Sequence, residues 1–297
     1  MTILSIALIL VGTITVNAAS QNENQSKPYY TNLNSVKMTK TQYDNLSRAF
    51  NEDTIATLTK DMVDTLANDA TLKTSSTTKY IRVDTIVDIF GNVIDVIEEE
   101  VTEAEAIEFE ANPPLQTLGN PVYQTTMKKL TINITVGSIS VKTITVTCDW
   151  LAGQMPVTRS HDVIAIRPNK SFTINTGSNI SGYLKHNGSI VQSYSQGHSN
   201  IVNSSAGVGL SMPLPSGGTS MSHGLTIIVI SGADPFDAYG SFQHAQSAVT
   251  LAQSKVYNLA VDGRTNIISF TNSTTAAKYD NMQSVDCTWS TSTLSCN

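Results

Sequence analysis

The sequence predicts a mainly β protein: a C-terminal antiparallel β-sandwich or jelly-roll-like domain preceded by a small α+β region. From residue 120 onward, apolar residues alternate with polar ones or form short Val- and Ile-rich runs, with turn signals every 8 to 15 residues and no helical period between them. That is the pattern of an all-β sandwich. Before residue 112 helix-capping pairs recur, and the charge balance is opposite: residues 20 to 112 carry 17 acidic and 8 basic side chains, net −9, whereas 113 to 297 carry 7 and 10, net +3. Pro113-Pro114 stands at the switch and stops any helix before it.

The elements follow in chain order. Ile3 to Val16 is an almost unbroken apolar run followed by Val16-Asn17-Ala18-Ala19, the small-residue pattern of a cleavage site. Residues 1 to 19 therefore read as a secretory signal peptide. The alternative, an uncleaved anchor, needs about 20 apolar residues. Met1 to Ser5 holds no basic residue, so a start upstream of Met1 is expected. After the signal the longest apolar run is Leu225 to Ile230, the length of a buried strand, and the mature protein is expected free and soluble outside the membrane.

Thr39 with Gln42 forms a capping box before Tyr43, Leu46 and Phe50, predicting a helix over about 40 to 49. Asn51 and Thr59 can cap two further short helices, the second presenting Met62, Val63 and Leu66. Residues 79 to 89 and 93 to 101 read as a hairpin around Phe90-Gly91-Asn92, and Thr102 with Glu105 opens an acidic helix to about Ala111. In the β region, Leu130, Ile132, Ile134 and Val136 alternate with polar residues. After Gly137-Ser138 the alternation runs through Ile139 and Val141, then shifts phase to Ile144, Val146, Cys148 and Trp150, which predicts a bulge near Thr143. Further strands are expected at about 161 to 167, 182 to 186, 189 to 194, 207 to 212, 224 to 231, 240 to 250, 255 to 261 and 266 to 271. Asn187-Gly188 is the strongest hairpin signal among them. The domain plan is thus 1–19 signal, 20–112 acidic α+β region, and 113–297 β-sandwich.

Composition excludes some functions. Charged residues are 14% of the chain and the net charge is −6, without the basic stripe that nucleic-acid binding requires. Nucleophilic chemistry finds little support. Gly218-Thr219-Ser220-Met221-Ser222 lacks the final glycine of a nucleophile elbow, and Cys148 lies in a strand beside Asp149. The five histidines make no i, i+4 pair, so no zinc site and no cofactor is expected. Asp234 and Asp237 could offer oxygen ligands to one Ca²⁺, with turn formation the competing role. The three cysteines leave at least one unpaired. Cys287 with Cys296 is the expected bridge, closing a short loop for about 2.7 kcal/mol in the chain-entropy picture, and an all-reduced state is the alternative.

The segments Trp150-Leu151 to Met155-Pro156, Arg159 to Val163, Phe242-Gln243-His244-Ala245 and Tyr279-Asp280-Asn281-Met282, with the helical stretch Tyr43 to Leu66, resemble a group of uncharacterised secreted proteins of Gram-positive bacteria. The resemblance implies a bacterial source and no activity. In that setting the eight Asn-x-Ser/Thr sequons reflect a Ser-, Thr- and Asn-rich composition rather than glycosylation.

The expected function is that of a secreted, non-enzymatic binding or surface-interaction protein, recognising cell-envelope polysaccharide or another surface protein through loops on a rigid sandwich. Trp150, Tyr183, His186 and Tyr194 are the candidates for ring stacking, with core packing the competing role for Trp150. Asp149, Arg159, His161 and Asp162 form the densest charged cluster, in which Arg159 and Asp162 are expected to form an ion pair. The alternatives are a membrane-active protein inserting the hairpin Leu130 to Val146, and a polysaccharide hydrolase using Asp149 or Asp162.

Overall fold

A computed structural model describes residues 29–113, 122–137, 141–151, 155–168, 173–174, 179–231, 234–259, 267–291 and 296. The expected signal segment lies outside the described residues, as do Asn24 and Asn169 of the sequons.

The chain first forms a two-residue bridge between β1 (Tyr30–Thr31) and β2 (Lys37–Met38), then three short helices, α1 (Lys40–Leu46), α2 (Glu52–Thr57) and α3 (Lys60–Leu66). Their caps are those read from the sequence. Gln42 N–H donates to Thr39 Oγ1 at 3.3 Å and Thr39 N–H donates to Gln42 Oε1 at 3.0 Å, while Asn51 and Thr59 accept from Thr54 and Met62 N–H. Helices of six or seven residues cannot stand on propensity alone. They are held by burial: Leu46, Leu58, Met62, Val63 and Leu66 pack together and onto Ile228 of the sheet beneath.

The remaining strands are β3 (Lys73–Val87), β4 (Val93–Val101), β5 (Val122–Val136), β6 (Val141–Trp150), β7 (His161–Pro168), β8 (Thr173–Ile174), β9 (Ile180–His186), β10 (Ser189–Ser195), β11 (Ile201–Ser204), β12 (Gly207–Pro213), β13 (Met221–Ile230), β14 (Phe236–His244), β15 (Tyr257–Leu259), β16 (Ile268–Phe270) and β17 (Gln283–Trp289). Helix α4 (Glu103–Ala111) follows β4, and α5 (Leu251–Ser254) and α6 (Ser273–Ala276) flank β15 and β16. Two antiparallel sheets face each other. The larger runs β10-β9-β13-β6-β5-β3-β4 with β8 beside β13, and the smaller runs β11-β12-β7-β14-β17. Leu130, Ile132 and Ile134 of β5, Ile144 and Val146 of β6, Ile164 and Ile166 of β7, and Phe242 of β14 fill the space between them. The α1–α3 layer covers the outer face of the larger sheet, and α5 with β15 and β16 covers that of the smaller.

Several expectations are refined by this layering. No register shift interrupts β5–β6 or β6–β13, so β6 carries no bulge at Thr143. Its apolar residues occupy both phases because both faces are buried, Ile144, Val146 and Cys148 toward the smaller sheet and Val141 toward the helices. Bulges occur instead at Ile190/Gln192 and at Ile86/Val87. Strand β3 begins at Lys73, earlier than expected, and pairs with β5 along its whole length, from Lys73↔Val136 to Val87↔Val122. The change of charge at 112/113 therefore does not coincide with a break in the sheet. The strand expected at 240 to 250 lies at Phe236–His244, and β11 and β17 were not anticipated.

The hairpin Leu130 to Val146 sits at the centre of the larger sheet, paired with β3 on one side and β13 on the other. Membrane insertion would require breaking both ladders. Among the described residues no helix is long and apolar enough to cross a membrane. Cys287 and Cys296 are bonded, tying the C-terminal tail to β17, while Cys148 is reduced and buried.

Candidate functional site

A cleft of about 400 Å³ opens where α2 meets the larger sheet at the end of β6, the start of β13 and the end of β9. The helix contributes Asn51 and Asp53, and the sheet contributes Asp149, Trp150, Tyr183, Lys185 and Ser222. Pairing register explains why these side chains converge. Ser222 lies opposite both Asp149 of β6 and Lys185 of β9, so the three form a row across adjacent strands. Ser222 Oγ donates to Asp149 Oδ1. Lys185 Nζ reaches Asp53 Oδ2 at 2.7 Å, which clamps the helix to the strand. Gly224, opposite Tyr183, makes room for its ring, because a Cβ there would lie 2.2 Å from Tyr183 Cε1.

Burial tunes the titrating groups in this cleft. Desolvation pushes the Asp149 carboxyl above its ordinary value, against the opposing influence of Ser222 and Lys129. The Tyr183 phenol is pushed up by burial, and the nearby Asp149 and Asp53 add to the shift. The cleft thus presents an ion pair, a desolvated carboxyl, hydroxyls and an amide, a set suited to hydrogen-bonding an uncharged polar ligand.

The four stacking candidates are placed differently. Trp150 and Tyr183 line the cleft but are each 2% exposed, so neither offers a free ring face. The Trp150 ring instead has Lys128 Nζ 5.2 Å from its centroid and His244 edge-on at 5.2 Å. Tyr194 is buried in the sandwich core, against His198. His186 stands at the Asn187-Gly188 turn, its Nε2 3.1 Å from the Gly217 carbonyl oxygen. Asn51, Asp53, Lys185 and Ser222 were missed. Asn51 carried a local signal, but it read as helix capping, which it also performs, and Asp53 lies in the first turn of the same helix.

The charged cluster divides. Asp149 belongs to the cleft, whereas Asp162 is wholly buried between the sheets. The expected Arg159–Asp162 ion pair is absent among the described residues. Arg159 Nε donates to the Pro156 carbonyl, and Asp162 is taken by His244 Nδ1 at 2.6 Å and by Trp150 Nε1 at 3.3 Å. His223 Nε2 lies 3.1 Å from Asp162 Oδ2 but off the hydrogen-bonding line. Alternation explains the choice: Asp162 shares the inner face of β7 with Ile164 and Ile166. His161, half-buried, lies on the outer face with Val163 and Ala165. The two histidines and the tryptophan outweigh burial and hold the Asp162 carboxyl below its usual range.

Beside this group lies a second buried set. Lys128 Nζ is 2.7 Å from Glu98 Oε1 and 2.5 Å from Asp280 Oδ2, and Asp280 Oδ1 accepts the His244 N–H at 2.7 Å. The segments around Trp150, Asp162, His244 and Asp280, far apart in sequence, therefore meet in one polar network inside the sandwich. At the other end of the smaller sheet, Asp234 accepts from Thr291 and Asp237 accepts from Thr288 Oγ1 at 2.7 Å, so both carboxylates serve the β14–β17 edge. No grouping of three or more potential metal ligands occurs among the described residues. Comparison with protein-family models, curated proteins and solved structures finds no match to this chain.

Proposed function

We propose that the protein is a secreted, non-enzymatic binding module whose cleft between α2 and the larger sheet takes a small uncharged polar ligand, such as a sugar unit of a cell-envelope polysaccharide. The observation that carries this reading is the convergence of Asn51, the Asp53–Lys185 pair, Asp149 and Ser222 on one cleft of about 400 Å³. Ligand pockets of roughly 300–1,000 Å³ with a few placed polar groups are the usual receptors for small molecules. Recognition rests on hydrogen bonds rather than ring stacking, because both aromatic rings are packed inward. The internal cancellation of Asp53 by Lys185 favours a polyhydroxyl ligand over a strongly charged one. The apolar leader and the disulfide support an oxidising, extracellular setting.

The test is calorimetric titration of the full chain with wall-derived oligosaccharides, alongside co-sedimentation with wall fractions. Saturable binding is expected, weakened about tenfold in Lys185→Ala or Asp149→Asn, the scale of one charge-assisted hydrogen bond. Binding that both variants leave untouched would move the ligand elsewhere on the molecule.

A second reading, glycoside hydrolysis, is favoured by one feature: two carboxyls share the cleft in different settings, Asp149 desolvated and Asp53 paired with Lys185. Release of reducing ends that falls by about a hundredfold or more in Asp149→Asn would support it. Asp162, wholly buried, has no access to such a substrate.

A further inference from the structure

We propose that Lys128 and Asp280 become joined by an intramolecular amide, an isopeptide bond between Lys128 Nζ and Asp280 Cγ, formed by the protein itself with Glu98 carrying the protons. The three side chains are 0%, 1% and 3% exposed for Lys128, Asp280 and Glu98, so water is excluded from the site. Lys128 Nζ lies 2.5 Å from Asp280 Oδ2. With a carbon–oxygen bond of about 1.2 Å, the nitrogen is then no more than about 3.7 Å from the carboxyl carbon, close to the separation of a near-attack arrangement.

The two oxygens of Asp280 have different surroundings. Oδ1 accepts the His244 backbone N–H at 2.7 Å, which polarises the carbonyl and holds the negative charge that develops on attack. Oδ2 faces Lys128 Nζ, where a departing hydroxyl can be protonated. Glu98 places Oε1 2.7 Å from the same nitrogen, and its other oxygen is fixed by Gln283 Nε2 at 3.1 Å. The His244 backbone N–H on Oδ1 makes Asp280 the acyl donor that the lysine attacks and leaves Glu98 as the proton carrier. The Trp150 and Phe242 rings lie 5.2 and 5.6 Å from the lysine nitrogen and line the enclosure beside the polar network of Asp162 and His244. In such an enclosure condensation is favoured over hydrolysis, since the product amide carries no charge and the water it releases leaves the site.

Protonation is compatible with this route. Desolvation pushes Asp280 up to about 6, toward the un-ionised acid that a nucleophile can attack. Burial disfavours the Lys128 ammonium, yet the two carboxylates outweigh it and shift the group upward, so the unreacted lysine rests as an ammonium. Once Asp280 has taken up a proton from solvent, the lysine becomes nucleophilic when its own proton passes to the Glu98 carboxylate, which leaves amine, Glu98 acid and Asp280 acid, with no charge on the three groups. The amine lone pair then forms the N–C bond. Glu98 takes a proton from the nitrogen and delivers one to the Oδ2 hydroxyl, the C–Oδ2 bond breaks, and one water leaves. Glu98 ends as the acid, holding the proton first taken from the ammonium, and nothing is oxidised or reduced. The bond would link β5 of the larger sheet to the segment that enters β17 of the smaller one, 152 residues away.

The test is the intact mass of the full chain, after reduction of the disulfide, against the mass calculated for its determined N-terminus. The wild type is expected to be lighter by one water, with a branched proteolytic peptide joining the segments of Lys128 and Asp280. Lys128→Arg and Asp280→Ala are expected to recover the full mass, and Asp280→Asn to lose ammonia instead of water. Glu98→Gln is expected to unfold cooperatively yet keep its full mass, which a merely structural role for Glu98 would not produce. A folded wild type at its full calculated mass, or a water loss mapped to other residues, overturns the bond, and that measurement decides even where a variant fails to fold. A Glu98→Gln chain that still loses water overturns the role of Glu98.

Discussion

At the scale of single residues, the unusual feature is ionisable groups between two β-sheets. Burying charge is costly unless every group is paired, and removing one partner of a buried pair costs about 3–5 kcal/mol because the other is stranded. Asp162→Ala leaves His244 and Trp150 without their common acceptor and removes the carboxylate beside His223, and is expected to lower stability by that amount in urea unfolding. Burial also depresses His223 and half-buried His161 below the ordinary 6.5, against the pull of Asp162. A base whose folded value is lowered adds stability that is complete above 6.5 and is lost as pH falls through its folded value. The urea midpoint is therefore expected to drop between pH 7.5 and 5, and less so in His223→Gln. In the cleft the sign concerns binding. Asp149 is raised, so a ligand that needs its carboxylate is expected to dissociate at a higher pH than the ordinary value of 3.8 would give, as read by titration across pH.

At the scale of elements, local rules and packing divide the work. Asn187 and Gly188 have φ of 49° and 79°, the left-handed pair that a two-residue hairpin requires. Gly188→Ala is expected to cost about 1–2 kcal/mol by thermal unfolding. The same turn holds β9 against β10, and β9 carries Tyr183 and Lys185 into the cleft. Caps at Thr39, Asn51, Thr59 and Thr102 were legible because each is a contact within three residues. The phase of β6 was misread because alternation reports a face only where one face is wet, and here both are buried.

At the scale of the whole molecule, β3 joins the acidic N-terminal region to the sandwich. Without it β5 would be an open edge, and Ile81 and Val83 would be missing from the core. Residues 122–297 expressed alone are therefore expected to aggregate or lose cooperative unfolding, as seen by size exclusion and circular dichroism. The helical layer extends the same dependence, because Asn51 and Asp53 form one wall of the cleft.

The amino-acid sequence by itself determined the β class, the helix caps and the tight turn at Asn187-Gly188, all of which rest on composition, periodicity or short separations, and it offered Cys287 with Cys296 as the expected bridge while leaving a reduced state open, which the structure decided. It marked Trp150, Tyr183 and Asp149 as residues of interest without their roles. Only the tertiary structure decided that Asp162 meets His244 and not Arg159, that Trp150 turns its ring inward, and that Lys128 lies between Glu98 and Asp280. Those contacts span tens to more than a hundred residues and depend on which strands become neighbours. Strand order is fixed by the joint burial of many side chains in two sheets, a property of the folded whole that no local window of sequence contains.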